Sequence, residues 1–298
     1  LHRFFQIRGG AFADGKLVIV LNQPMKPTLL GADDKAGVAE IMTALERVIA
    51  SGRPHGPVAV AFTPDEETGL GIAGFDVEGF GAAYAYTVDG GEVGELSYEN
   101  FNACEATLDF RGVNVHPGSA KDTMVNASLL AMEYNAMLPS AETPRHTEGY
   151  EGFFHLEEME GDVAHARLVY IVRDHDAGRF EARRDQLRHI AKVMNERWGE
   201  GAVTLTLRDQ YRNMKEKIAP YPFLLENARA AMRAAGCEPF DAAVRGGTDG
   251  AQLCYRGLPC PNLCTGGFAF HGPFEHIAAE DMELCARMLE ELICLPRN

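Results

Sequence analysis

Residues 29–37 read Leu-Leu-Gly-Ala-Asp-Asp-Lys-Ala-Gly: an apolar approach, a glycine, two adjacent carboxylates, a lysine and a second glycine. Val38, Ile41, Met42, Leu45, Val48 and Ile49 then recur at three- and four-residue spacing, the period of an amphipathic helix. An apolar approach, an acidic turn and a helix, in that order, is what an open α/β sheet presents at a strand end, where ligands and catalytic groups collect. The pattern returns at Thr63-Pro64-Asp65-Glu66-Glu67 and again at Thr87-Val88-Asp89-Gly90-Gly91. The chain is thereby confined to folds in which successive strands deliver acids to one edge of a sheet.

The surrounding pattern agrees. Apolar runs at 16–21, 57–62 and 83–88 read as strands, and the helix after residue 31 runs to about Ala50 before Gly52 and Pro54 close it. Strands alternating with helices across small turns give a mostly doubly wound α/β domain. The character changes near Asn100. Strands at 104–110, 153–159, 166–172 and 202–207, with helices at 124–138 and 180–198, follow the order β-α-β-β-α-β, a ferredoxin-like α+β unit. The expected organisation is a catalytic domain from 1–99 and 213–298, interrupted by a second domain over 100–212. In the resumed part, helices at 223–235 and 279–294 flank a glycine-rich turn, Arg245-Gly-Gly-Thr-Asp-Gly250, and a strand at 259–265.

With 28 basic and 43 acidic residues the formal charge is −15, which argues against a nucleic-acid backbone or an anionic membrane as partner. No apolar run approaches the roughly 18–20 residues of a membrane span. Seven cysteines, an odd number without paired spacing, suit free thiols in a reducing cytoplasm. Cys254, Cys260 and Cys264 read as small core residues rather than as a zinc knot, since two CxxC pairs are missing.

Asp33, Glu67, Asp89 and His271 all fall on loops at inferred strand ends. Oxygen donors with an imidazole suit Zn²⁺, Mn²⁺ or Co²⁺, and a carboxylate shared by two cations is a common hydrolase arrangement. Any one of these acids could be a helix cap; the conjunction with a glycine-flanked histidine favours a metal centre. Glu66 and Glu67 are neighbours and point apart, so one can hold metal while the other moves protons. His116 on a Pro-Gly turn and Arg173 at a strand end could hold a carbonyl oxygen or a carboxylate, and the Arg245 turn could offer N–H groups to an anion.

The stretches LLGADDKAGVAEIMTAL, VAFTPDEETG, AYTVDGGEVGELSYENFNA, NVHPGSAKDTMVNAS, TEGYEGFFHL, YIVRDHD, RGGTDGAQL and GLPCPNLCTGGFAFHG, in order over about 29–272, resemble the M20 family of dizinc peptidases and, within it, the cytosolic aminotripeptidases. The resemblance implies two zinc ions, with Asp33 bridging them and joined to Asp34 by a cis peptide. Glu67 and His271 would complete one zinc site and Asp89 would serve the other. Glu66 would be the general base and acid for the attacking water. His116, Arg173, Asn126 and Arg245 would bind the peptide substrate, and the inserted domain would act as lid and homodimer surface.

The family pattern also places a His-x-Asp upstream of the GADDKAG motif; no such motif precedes residue 33 here, and His2 lacks the Asp two residues on. The expectation is therefore either a zinc aminopeptidase acting on tripeptides, or a truncated chain that binds at most one metal. A different M20 amidohydrolase, a deacylase or carboxypeptidase, is the remaining alternative.

Overall fold

A computed structural model describes residues 10–13, 16–19, 30–64 and 66–295. It opens with an antiparallel pair, β1 (Gly10–Ala13) and β2 (Lys16–Ile19). β2 takes up the first four positions of the strand expected at 16–21. The proline-containing loop expected at 22–27, Leu29, His2 and Asp65 lie outside the described residues.

Helix α1 (Ala32–Ser51) is bracketed by Gly31 and Gly52, both in the left-handed region that glycine enters without strain, with φ of 69° and 64°. Its buried stripe is Ala36, Glu40, Ala44 and Val48, one residue per turn. This corrects the expected apolar face: Val38, Met42 and Ile49 are exposed. Small side chains win the inner face because α1 packs closely on a strand and a second helix, and only they let backbones approach.

The strand expected at 57–62 is not formed. No described strand pairs with it, so its backbone joins no ladder, and Val58, Val60 and Phe62 are exposed. A single 3-10 turn, Glu66–Thr68, and a short helix α2 (Val77–Phe80) follow, then β3 (Thr87–Gly90) and β4 (Glu95–Asn100).

The described chain divides into two compact units, one of them spanning Glu99–Asn213 with Ala243–Gly247. This second unit contains β5 (Asn102–Arg111), α3 (Ala127–Ala136), β6 (Phe153–Gly161), β7 (His165–Asp174), α4 (Ala177–Trp198) and β8 (Val203–Tyr211). Its sheet is antiparallel in the order β6-β7-β5-β8. Cys104, Ala106, Leu108 and Phe110 alternate along one face of β5 and pack with Leu130 and Tyr134 of α3 and Leu187 and Met194 of α4. The Tyr134 hydroxyl, buried in that core, donates to the Leu187 carbonyl at 2.8 Å.

The first unit resumes with α5 (Lys215–Ile218), α6 (Pro222–Ala235), β9 (Phe240–Val244), α7 (Asp249–Tyr255), β10 (Asn262–Cys264), β11 (Gly267–Phe268), β12 (His276–Ala278) and α8 (Ala279–Ile293). The strand expected at 259–265 shortens to three residues. Sheet order is β3-β10-β4-β9, with β10 parallel to β3 and antiparallel to β4, so this sheet is mixed within an α/β class. A second sheet runs β1-β2-β12-β11. Ala44 of α1, Ala228 and Met232 of α6, and Cys285 and Met288 of α8 bury against Val88, Leu96 and Leu263 of the first sheet. All seven cysteines are free, six of them buried, as core residues are.

Candidate metal and catalytic site

Three elements bring the site together. Asp33 lies at the start of α1, with backbone angles outside the helical range and a cis bond to Asp34. Glu66 and Glu67 open the 3-10 turn, and His271 follows β11 in a left-handed backbone conformation with φ of 59°. The His271 Nε2 lies 2.9 Å from Asp33 Oδ2 and 3.0 Å from Glu67 Oε1. The donor atoms of these three residues all lie within 4.8 Å of one another, close enough to share a single cation.

The start of α1 is fixed from two sides. The amide N–H groups of Ala32 and Asp33 both donate to Glu275 Oε1, at 2.6 and 3.2 Å, so a buried carboxylate sits at the positive end of the helix. Glu275 is absent from the residues read out of the sequence. Its only signal there is position, four residues after His271 in the loop that must return to the sheet. Asp34 Oδ1 accepts from the Gly37 N–H at 3.1 Å, which turns Asp34 into its own helix and away from the shared donor cluster.

Electrostatics in this corner are those of acids crowded together. Burial pushes Asp89 up to about 9, with the charges of Asp34, Glu66 and Asp33 adding to it. Burial likewise lifts Glu66 to about 7, helped by Asp249, Glu67 and Asp33 and opposed by His271. Asp34 also reaches about 7, raised by burial against the Gly37 hydrogen bond. For His271, burial works against the charged form, but Glu67 and Asp33 outweigh it and hold the imidazole above its ordinary range. Carboxylates that must hold protons to coexist are a fitting environment for a divalent cation, which would relieve their repulsion. The donor set, one imidazole nitrogen with carboxylate oxygens, fits zinc, manganese or cobalt.

Asp89 sits at the end of β3, where its N–H donates to Asn262 Oδ1 at 3.2 Å. It is half-buried beside Asp33 but outside the three-donor group. The remaining predicted residues belong to the second unit. His116 is exposed on a short turn, its Nδ1 accepting from the Gly118 N–H at 3.1 Å. Asn126 caps α3 by accepting from the Leu129 N–H at 3.3 Å. Arg173 donates to the Arg245 carbonyl at 3.0 Å, with its guanidinium over the rings of Phe153 and Tyr211. The Arg245 guanidinium itself donates to the carbonyls of Gly149, Glu151 and Thr147 and to the Thr147 hydroxyl, so it is spent on the turn at 147–151.

The profile of peptidase family M20/M25/M40 matches residues 31–294. Peptidase T of Bacillus licheniformis is 52% identical over 269 residues, which are 90% of this chain and 66% of that protein. Peptidase T of Listeria monocytogenes serotype 4b is 53% identical over 266 residues, 89% of this chain and 65% of that protein. The chain thus spans about two thirds of the length of such relatives. Among solved structures, the aminopeptidase PepT from Bacillus cereus superposes with a TM-score of 0.78 at 26% identity, covering 96% of this chain and 75% of that one. A tripeptidase from Staphylococcus aureus gives a TM-score of 0.82 at 21% identity over 96% of this chain and 75% of its own, a likeness of fold.

Proposed function

The chain belongs to peptidase family M20/M25/M40, and from that premise we propose that it is a zinc-dependent aminopeptidase releasing the N-terminal residue from tripeptides. The observation that carries the proposal is the convergence of Asp33, Glu67 and His271 on one point, with Glu66 beside them. Asp33, Glu67 and His271 would hold one divalent cation, and Asp33 with Asp89 a second. Such cations supply Lewis acidity at the scissile carbonyl and charge stabilisation as the amide is attacked.

Glu66 takes a proton from the attacking water and returns it to the leaving amine nitrogen. Burial is the largest cause of the raised Glu66 carboxyl, and a carboxyl raised in this way can both accept and return a proton. His116, Arg173 and Asn126 are assigned to the peptide, and Arg245 to holding the turn at 147–151. The second unit is assigned as lid and homodimer surface, and the cytoplasm as the setting. Among the described residues no helix is long and apolar enough to cross a membrane.

Release of the first residue from a tripeptide panel is the expected activity, removed by chelator. Glu66→Ala should lower kcat by about 10²–10⁴-fold, the usual worth of a positioned general base. Full turnover in Glu66→Ala would sink the assignment. A second reading is favoured by one observation: among the described residues only one group brings three donors together, and Asp89 stands outside it. In that reading the chain binds at most one metal per subunit and is impaired as a catalyst. Metal analysis separates the two, since two equivalents with turnover support the first and at most one equivalent without turnover the second.

A further inference from the structure

Glu66 and Glu67 lie on an irregular stretch, 53–76, in which the described residues form one 3-10 turn and no helix or strand. A general base and a metal ligand on such a stretch need something else to fix them. That something is α7. Asp249 and Gln252 share one face of α7, Arg256 is its C-terminal cap, and all three reach this stretch. Asp249 Oδ2 accepts from the Thr63 hydroxyl at 2.8 Å. Gln252 Nε2 donates to the Gly69 carbonyl at 3.4 Å, and the Arg256 guanidinium donates to the carbonyls of Ile72 and Phe75. The grip brackets the two glutamates, with Thr63 three residues before Glu66 and Gly69 two residues after Glu67.

Asp249 is the buried member of the three, and its charge reaches Glu66. It is 4% exposed, and its Oδ1 is buried without a hydrogen bond to any described residue. A Cβ placed on Gly71 would stand 2.3 Å from Asp249 Oδ2, so the backbone after Glu67 rests directly on this carboxylate. A buried carboxylate with half its acceptor capacity unmet is costly to keep. We propose that Asp249 is a positioning residue which, through Thr63 and the turn at 69–71, sets where Glu66 and Glu67 stand. It lies outside the three-donor group and acts on the glutamates by holding the loop, its charge adding to the lift on Glu66. The proposal rests on the role given above to Glu66 and Glu67.

The test uses Asp249→Ala, Asp249→Asn and Thr63→Val in the full chain. Amide hydrogen exchange of the metal-free protein reads the loop directly, calorimetric titration with Zn²⁺ reads the ligand Glu67, and tripeptide kinetics read Glu66. Asp249→Ala should speed exchange over 66–75 about tenfold, with exchange in the second unit unchanged. It should also weaken Zn²⁺ binding by about 10–100-fold, the usual cost of losing an outer support of a metal ligand. The loss in turnover should fall on kcat, with KM within about twofold. Asp249→Asn keeps an oxygen that can accept from Thr63, so it should recover most of each loss. Thr63→Val leaves the carboxylate in place and should reproduce part of the effect even where Asp249→Ala does not fold.

Unchanged exchange and Zn²⁺ affinity in a folded Asp249→Ala or Thr63→Val protein would overturn the proposal. A wild-type protein without tripeptidase activity overturns the functional reading instead, and the exchange and titration arms still decide this one.

Discussion

At the scale of single residues, Glu40 departs furthest from sequence intuition. It lies on the buried stripe of α1 at 1% exposure, and neither carboxylate oxygen has a hydrogen bond to a described residue. Burial, with Cys264 and Asp34 adding, pushes it up to about 9 from an ordinary value of 4.5. The folded chain thus holds a proton there that the unfolded chain releases. Its contribution to stability is fully present below pH 4.5 and is lost as the pH rises toward about 9. Between pH 4.5 and neutrality that loss is on the order of 3 kcal/mol, at roughly 1.4 kcal/mol per pH unit. Glu40→Gln should therefore be more stable than the parent at pH 8 and equal to it near pH 4.5, read by urea denaturation of metal-free protein. Parallel pH profiles would refute this. In the sequence Glu40 looks like a solvent-facing helical acid, because the periodicity of Val38, Ile41 and Met42 points to a different face.

At the scale of elements, α1 is placed by what it lacks. A Cβ on Gly37 would meet the Val88 carbonyl at 2.3 Å and Asp34 Oδ1 at 2.5 Å, so the helix touches β3 backbone to side. Gly37→Ala should cost about 1–3 kcal/mol, the range for forcing atoms into a packed contact. It should also displace Asp34 from the Gly37 N–H. Gly74→Ala, whose added carbon meets nothing within 4 Å, is the control expected to be near neutral. Thermal melts of the two variants check both. Elements were legible where apolar period and punctuation coincide: α6 ends at Gly236 in the left-handed conformation, and β6 and β7 pair antiparallel over the strands expected at 153–159 and 166–172. The stripe of α1 was not, because alanines and glycines carry little hydrophobic signal yet decide how close two backbones come. The sequence singled out Asp33, Glu67 and His271, which the fold brings within 4.8 Å of one another, although the strand expected to carry Glu67 to a sheet edge does not form. Glu275 and Asp249 escaped because each acts through hydrogen-bonded groups far away in sequence.

At the scale of the molecule, the ferredoxin-like order of the second unit could be read from its alternating strands, but the sheet order β6-β7-β5-β8 comes from tertiary pairing alone. The run at 57–62 shows the opposite failure. Its composition is that of a buried strand, yet with no described partner strand it stays irregular, and Phe62 is 51% exposed. Pattern specifies what a segment can become, and pairing decides whether it does. Phe62→Ser should shift stability by less than about 0.5 kcal/mol, as exposed positions do. It should also reduce self-association at high concentration, measured by light scattering. A loss above about 2 kcal/mol would mean that the side chain is buried in solution.

The grip of α7 on the stretch around Glu66 has a consequence for how that stretch can change over generations. Gln252 and Arg256 bond to the carbonyls of Gly69, Ile72 and Phe75, atoms every amino acid possesses. The side chains at 70, 73, 74 and 76 take no part in those bonds, so substitutions there leave the anchor points as they are. A lineage can change those four letters while Glu66 and Glu67 stay in place, so drift at these positions is a poor measure of drift in the geometry they frame.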